Sequence, residues 1–580
     1  MKIYKLMAIA FVLMALLCNC SNDSDRAVSP AQAADPTDPA APDPGVHSFT
    51  GLPLTEDGWT DFAALIQGDA AAAVQASYDD ARVVFVSSSE GDDSTGQIYS
   101  TLNITFDENG MFQPQGPVNA FATLAEAYEQ LRDGYPDILL LKRGDVWDES
   151  FDSWDKSGRA KAERMILGAY GLSHLDMPEI MMFRSSETVS FSHNIVTSIK
   201  IASLSPWVNA FSRRVGGENF LVEDCLVTKG ANTGIIITGG SSGDIVKNVV
   251  VRRSVVAERY PTDNTGHTQG LFAAGADGFL VEECIFDHNG WTDNPEEGNP
   301  ATIHNHNTYF DISVSNAVMR YNISARASSK GYQPGGGGLI VANLSLMDPI
   351  GIESSRVEPS APDGFDSIIK NNVLLEGWDS KTSSVTRWGI RFNNVSSSLV
   401  EGNIIGSVTS GGGVQAMYFD VVTKNEVRLD LRNITLQDNI VHNWPIVRLE
   451  GEGIENAKIM DNRIHNENSE YLILWDATVA PEITSSGNSF YSGVIDTDEW
   501  LTNYQAGVGD TTSVVSQTNP TGGYLVTDYL ASIGETATLD AFFARIQQQR
   551  RGHWDERYTA VPVINFVREK FGKEQIAKIY

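Results

Sequence analysis

The sequence predicts an all-β fold in which a single chain winds into a parallel β-helix of about ten to twelve coils. A helix-containing cap precedes the coils and a helical cap follows them. Three observations predict this. A short motif recurs at Asn194, Cys225, Ser254, Cys284, Asn322, Asn343, Asn372, Asn403, Asn439, Asn462 and Asn488, with a mean interval of about 29 residues. The motif residue is flanked by apolar residues at mainly alternating spacing, which describes strands rather than helices. The intervals vary while the motif persists, as expected for stacked coils that carry insertions at their corners.

Residues 1–20 have a Lys2/Lys5 n-region and an apolar run, Leu6 to Leu17, too short to span a membrane. Cys18 and Cys20 follow, resembling a bacterial lipoprotein signal with Cys20 as the lipidated residue, Leu17 standing three before it. Residues 21–46, rich in Asp, Pro, Ala and Ser, form a disordered tether. The expected protein is exported and held in a bacterial cell envelope, at the outer membrane or in the periplasm, or else secreted.

Residues 47–175 are expected to hold the N-terminal cap and the first coils. Arg82 to Val86 reads as a strand, and Ser87 to Ser94 as an acidic loop that is a solvated turn or a cation site. Thr123-Leu-Ala-Glu126 is a capping box opening a helix through Asp133. Ile138 to Gly144 and Met165 to Gly171 read as buried strands. Residues 176–495 form the β-helix proper, in which Asn suits the bend between strands, tolerates left-handed dihedrals and can hydrogen-bond its counterpart in the next coil. Cys225 and Cys284 lie two coils apart, on the order of 10 Å, which predicts free buried thiols. Residues 496–580 form an extension with helices near 538–551 and 561–571, folding back along the body.

This pattern resembles the single-stranded right-handed parallel β-helix of the pectin-lyase-like superfamily, over roughly residues 80 to 495. That fold serves lyases, hydrolases, epimerases and binding proteins, so function has to come from the residues. The net charge of -32, from 42 basic and 74 acidic residues, argues against nucleic acid as a partner. A polyuronide stays compatible where a local basic patch or a bound cation inverts the field.

Residues 279–338 concentrate the titratable side chains. His304 and His306 share a strand face, Tyr309 falls on the opposite face of a regular strand, and Lys330 lies one coil on, within reach of the same sugar. His267 extends the row from the coil before. These five are the candidate catalytic residues, with Asn305, Asn307, Arg326, Gln333 and Arg356 as candidate substrate-binding residues. His288 reads as a turn residue. His-X-His lacks a third ligand at motif spacing, so no metal site is assigned. The longest interval, 38 residues from Cys284 to Asn322, precedes the shortest, 21 residues to Asn343. The insertion Thr292 to Ala301 therefore reads as a wall beside a low-rimmed coil.

Arg326 to Asn343 followed by Gly351-Ile-Glu353 is similar in layout to the alginate lyase and chondroitin B lyase family. That resemblance implies β-elimination on an acidic glycan with a Lys base, an Arg acid in a following Gly-containing coil, and calcium at the carboxylate. Lys330 would be the base. Gln333-Pro-Gly335 stands where the family has its Arg, leaving Arg326 or Arg356 to substitute. A non-catalytic carbohydrate-binding or adhesion solenoid is the alternative, and a glycoside hydrolase using Asp287 and Asp311 a second. A monomer is expected, bound to polysaccharide and to a membrane by its lipid.

Overall fold

In a computed structural model, described for residues 45–68, 78–202, 209–240, 243–261, 267–378, 387–408 and 414–580, the chain from Gly45 to Tyr580 forms one compact unit. Cys18, Cys20 and the tether through residue 44 lie outside the described residues. The strands form three long sheets of 19, 13 and 12 strands, paired almost throughout in parallel. Each coil lays one strand in each sheet. The coil containing Ala276–Glu282, Ile285–Asp287 and His306–Phe310 is followed by Val314–Arg320, Ile323–Ala325 and Lys330–Pro334, in matching register. The result is a parallel β-helix whose interior is a continuous apolar core from Val84 to Tyr504.

The recurring Asn is a buried ladder between the first and second sheets. Asn322, Asn343, Asn372, Asn403, Asn439 and Asn462 each pass Nδ2 to the Oδ1 of the next in the column, which ends at Asn488, at 2.9 to 3.0 Å. The same Oδ1 also accepts the backbone N–H of the preceding Asn, so each amide closes the corner of its own coil and the one before it. Two details differ from expectation. The left-handed dihedral falls on the residue before the ladder position, as at Tyr321 (φ 60), Asn371 (φ 57) and Asp438 (φ 55), because the ladder residue already starts the turn into the second sheet. Asn194 is not in the column: it pairs with Phe220 in the first sheet, while Lys200 pairs with Leu226, which puts Ile199 beside Cys225. Cys225 and Cys284 are free and buried, with Ser254 between them. Desolvation drives both thiols' pKa values upward, that of Cys284 to about 12.

The predicted helix at Thr123 runs over Leu124–Glu129, with Thr123 Oγ1 accepting from the Glu126 N–H and Leu124 and Ala127 entering the core. The acidic loop before it serves structure: Asp93 accepts from the N–H groups of Ala122 and Thr123. At the far end, Thr497–Val508 packs Leu501 and Tyr504 into the core beside the last coils, a helix the sequence reading did not single out. Leu539–Ile546 and Ala560–Lys570 instead lie against the outer side of the second sheet, sharing an apolar cluster with Ile323, Leu344, Val373 and Ile404. The first of these ends five residues short of the expected 551. With the second sheet covered, the third carries its own outward face.

Candidate active site

The third sheet's outward face is built by a column of small residues. Gly331, Gly351 and Gly389 follow one another in successive coils, continuing to Ala416. A Cβ at each glycine would sit 2.5 to 2.9 Å from the next coil's carbonyl oxygen. That crowding selects glycine. At the column the strand departs from simple alternation, so the residues before it and two after it both face outward. The rings of His306 and Tyr309 therefore meet at 5.5 Å, and the Arg391 guanidinium lies 4.9 Å over Trp388. Tyr309 is thus on the same face as His306, contrary to the regular-strand expectation.

Two outward rows result. The first runs Gln269, His306, Lys330, Ile350, Trp388, Gln415. The second runs Phe272, Tyr309, Gln333, Glu353, Arg391, Tyr418, Arg448.

Lys330 is at the centre. Its Nζ donates to the Ile303 carbonyl at 3.3 Å and lies 3.9 Å from Glu353 Oε2. Burial lowers its pKa; Arg391 and Arg356 act in the same direction and Glu353 opposes them. The His306 backbone N–H donates to Gln269 Oε1 at 2.6 Å, and the ring Nδ1 has no hydrogen-bond partner among the described residues. Burial first, then Lys330, His267 and His304, hold its pKa well below 6.5, so the ring is neutral. His267 and His304 extend the group, with ring centroids 5.1 Å apart. The Tyr309 hydroxyl is pushed up to about 12, chiefly by burial, and stays protonated. Gln333 donates to Glu353 Oε1 at 2.7 Å and Arg391 to Glu353 Oε2 at 2.9 Å. Arg391 also donates to Asp420 at 3.1 Å, and Arg356 to Asp311 at 2.6 Å. Beside Lys330, the insertion that ends at Ala301 is tied in by Thr292 to Asn299 and Asn299 to Pro261.

Three of the candidate substrate-binding residues are elsewhere. Arg326 holds buried Asp287 with bonds of 2.6 and 2.8 Å and lies 4.1 Å over the Phe543 ring, on the covered second sheet. Asn305 is buried between the Gly290 carbonyl and the Thr268 N–H. Asn307 is buried at a corner, donating to the Phe286 and Ala325 carbonyls and to Ser324. In each, the amide or guanidinium is spent on closing a coil. The carboxylate pair Asp287 and Asp311 is divided between the second sheet and the third, so it does not form a hydrolase site. His288 has φ 55 and meets the Tyr260 hydroxyl at 3.2 Å, a turn residue.

Glu353, Arg391, Asp420 and Trp388 join the site without having been assigned to it from sequence. The signal was there: Gly389-Ile-Arg391 repeats Gly351-Ile-Glu353 one coil on. A calcium ion does not fit this face, because Asp311, Glu353 and Asp420 are each engaged by a guanidinium. Among the described residues no group of three or more His, Cys, Asp or Glu side chains is arranged to hold a metal ion.

No protein-family model matches the chain, and no curated protein does. Among solved structures it is similar to AlyGC, a PL6 family alginate lyase, at 12% identity over 63% of this chain and 50% of that one, with a TM-score of 0.45. It is similar to a mannuronic acid specific polysaccharide family 6 lyase from human gut microbiota, at 14% identity over 76% and 95%, TM-score 0.40. A pectate lyase, Pel9A, matches at 10% identity over 72% and 82%, TM-score 0.32. The chain spans about half the length of AlyGC. The likeness is one of architecture, a parallel β-helix.

Proposed function

We propose that the protein is a polysaccharide lyase that cleaves a uronic acid-containing glycan by β-elimination on the outward face of the third sheet. The observation that carries this is Lys330: a desolvated amine with a lowered pKa, set on the third sheet between a neutral histidine and two guanidinium groups. In its neutral form Lys330 takes the proton at C5 of the uronic acid. The electron pair left behind forms the C4–C5 double bond as the C4–O bond breaks, and the leaving oxygen takes a proton from Tyr309, the protonated hydroxyl on the same face. Arg356 and Arg391, held in place by Asp311 and Asp420, are positioned to favour the negative charge that builds on the substrate carboxylate. His306 contributes an unpartnered Nδ1 that can orient a sugar hydroxyl.

One observation favours a non-catalytic carbohydrate-binding reading: Glu353, 3.9 Å from Lys330, favours the ammonium form. Incubation with a panel of uronic acid polymers separates the two. A rise in ultraviolet absorbance from the unsaturated product is expected. Binding without that rise, and without new reducing ends, refutes the enzyme reading. We propose further that a lipid on Cys20 holds the protein in the cell envelope; incorporation of labelled fatty acid into the wild type but not into Cys20→Ala tests this.

A further inference from the structure

We infer a sugar-stacking subsite at Trp388 and Tyr418, displaced from Lys330 toward the C-terminal end of the stack, that takes a ring of the same acidic glycan and makes the protein an acceptor of long chains. The inference rests on the lyase reading for the class of ligand, and on its own geometry for the site. Trp388 is two coils from Lys330 in the same outward row, by the register Lys330 to Ile350 to Trp388. At the usual strand spacing that is about 10 Å, a distance that about two linked sugar units cover. A chain with one ring at Lys330 thus brings another over Trp388 without bending away from the face.

The local chemistry suits a pyranose ring. Trp388 and Tyr418 come from neighbouring coils with ring centroids 4.7 Å apart and planes 48° from each other, giving a shallow aromatic cradle for the apolar C–H face of a sugar. At its edge two buried polar atoms have no hydrogen-bond partner among the described residues: Trp388 Nε1, a donor, and Gln415 Oε1, an acceptor. Trp388 and Gln415 are paired in register, so the two atoms belong to one place on the face. Buried polar groups are ordinarily satisfied, and a hydroxyl-bearing ring supplies both a donor and an acceptor. Arg391 lies 4.9 Å from the Trp388 ring centre and Arg448 5.6 Å from that of Tyr418, each paired with carboxylates (Glu353 and Asp420, and Glu450), so the cradle itself suits a sugar face and the acidic class of the ligand comes from the lyase reading.

The test separates binding from turnover. In affinity electrophoresis through gels containing uronic acid polymer, Lys330→Ala should still be retarded, and adding Trp388→Ala should weaken the apparent affinity by about tenfold or more. Trp388→Phe, which retains a ring but removes Nε1, should fall between them and guards against a misfolded alanine variant, as do matching circular dichroism spectra. Unchanged retardation in both Trp388 variants overturns the subsite, as does absence of retardation by any acidic polymer or equal retardation by a neutral one. With Lys330 intact, the wild type's preference in kcat/KM for long chains over short oligomers should fall about tenfold in Trp388→Ala. A preference that does not move overturns the subsite while leaving the lyase reading intact. Retention that depends on Trp388 in a wild-type protein without lyase activity overturns the lyase reading and leaves the subsite standing.

Discussion

Replacing Asn403 with alanine removes four ladder bonds at once. Asn403 Nδ2 donates to the Ile369 carbonyl at 2.8 Å and to Asn439 Oδ1 at 2.9 Å, and its Oδ1 accepts from the N–H and Nδ2 of Asn372, both at 2.9 Å. Some partners keep another bond: Asn439 Oδ1 still accepts the Asn403 N–H at 3.0 Å, and Asn372 Nδ2 still reaches the Ile340 carbonyl at 2.8 Å. The Asn372 N–H is left buried and unpaired, which costs about 1–3 kcal/mol, and the other lost bonds add on the order of 1 kcal/mol each before relaxation. The expected loss is about 3–5 kcal/mol, read by urea unfolding. Faster amide exchange at Asn372 should accompany it, since coils in a solenoid depend chiefly on their neighbours. Cys284→Ala, in the same column where the side chain makes only a long sulfur contact of 3.4 Å, should cost about 1 kcal/mol or less. A loss below about 1 kcal/mol for Asn403→Ala, or equal losses at the two positions, would refute the reasoning that the amide column locks the corners.

Lys330→Ala should abolish lyase activity with unchanged melting behaviour, and wild-type kcat should rise with pH as the lysine deprotonates at its lowered pKa; full activity in the variant removes Lys330 from the mechanism. Arg326→Ala should destabilise the fold by about 3 kcal/mol by removing the cation from buried Asp287, which keeps its bond from Gln547, while Arg391→Ala, which takes a cation from Glu353 on the third sheet, should strike activity first; thermal melts and product formation on both variants distinguish these outcomes. Asp348 is buried and its pKa is raised from 3.8 to about 7, so the unfolded chain ionises first and stability falls as pH rises between those values, by on the order of 4 kcal/mol in all. Asp348→Asn should flatten that part of the stability profile, and an unaltered slope in urea unfolding at several pH values would show that Asp348 does not set it. Cys225 and Cys284 should resist alkylation in the folded protein and react once it is unfolded.

The coil period was legible in sequence because the ladder position tolerates so few residues: a side chain that must donate and accept along the axis is Asn in every coil from Asn322 to Asn488. Its start was misread at Asn194 because a first-sheet residue with the same apolar flanks imitates the corner. The site was legible in part. His306 and Lys330 stand in strands whose register follows from the period, so their adjacency could be read in advance. Arg326, Asn305 and Asn307 could not be placed in the same way, because moving a few residues along a coil turns a side chain from one of three sheets to another. Arg391 was missed for the opposite reason: it is 61 positions beyond Lys330 in the chain, yet two coils bring it to the same glutamate.

The glycine column has a consequence for how this face can change. Because the outward pair in each coil is set by the backbone at Gly331, Gly351 and Gly389, the side chains on either side differ in kind from coil to coil. Lysine, isoleucine and tryptophan occupy one row, and glutamine, glutamate and arginine the other, on the same frame. Such a face can be rewritten one rung at a time, changing its chemistry at one coil while its neighbours hold their geometry.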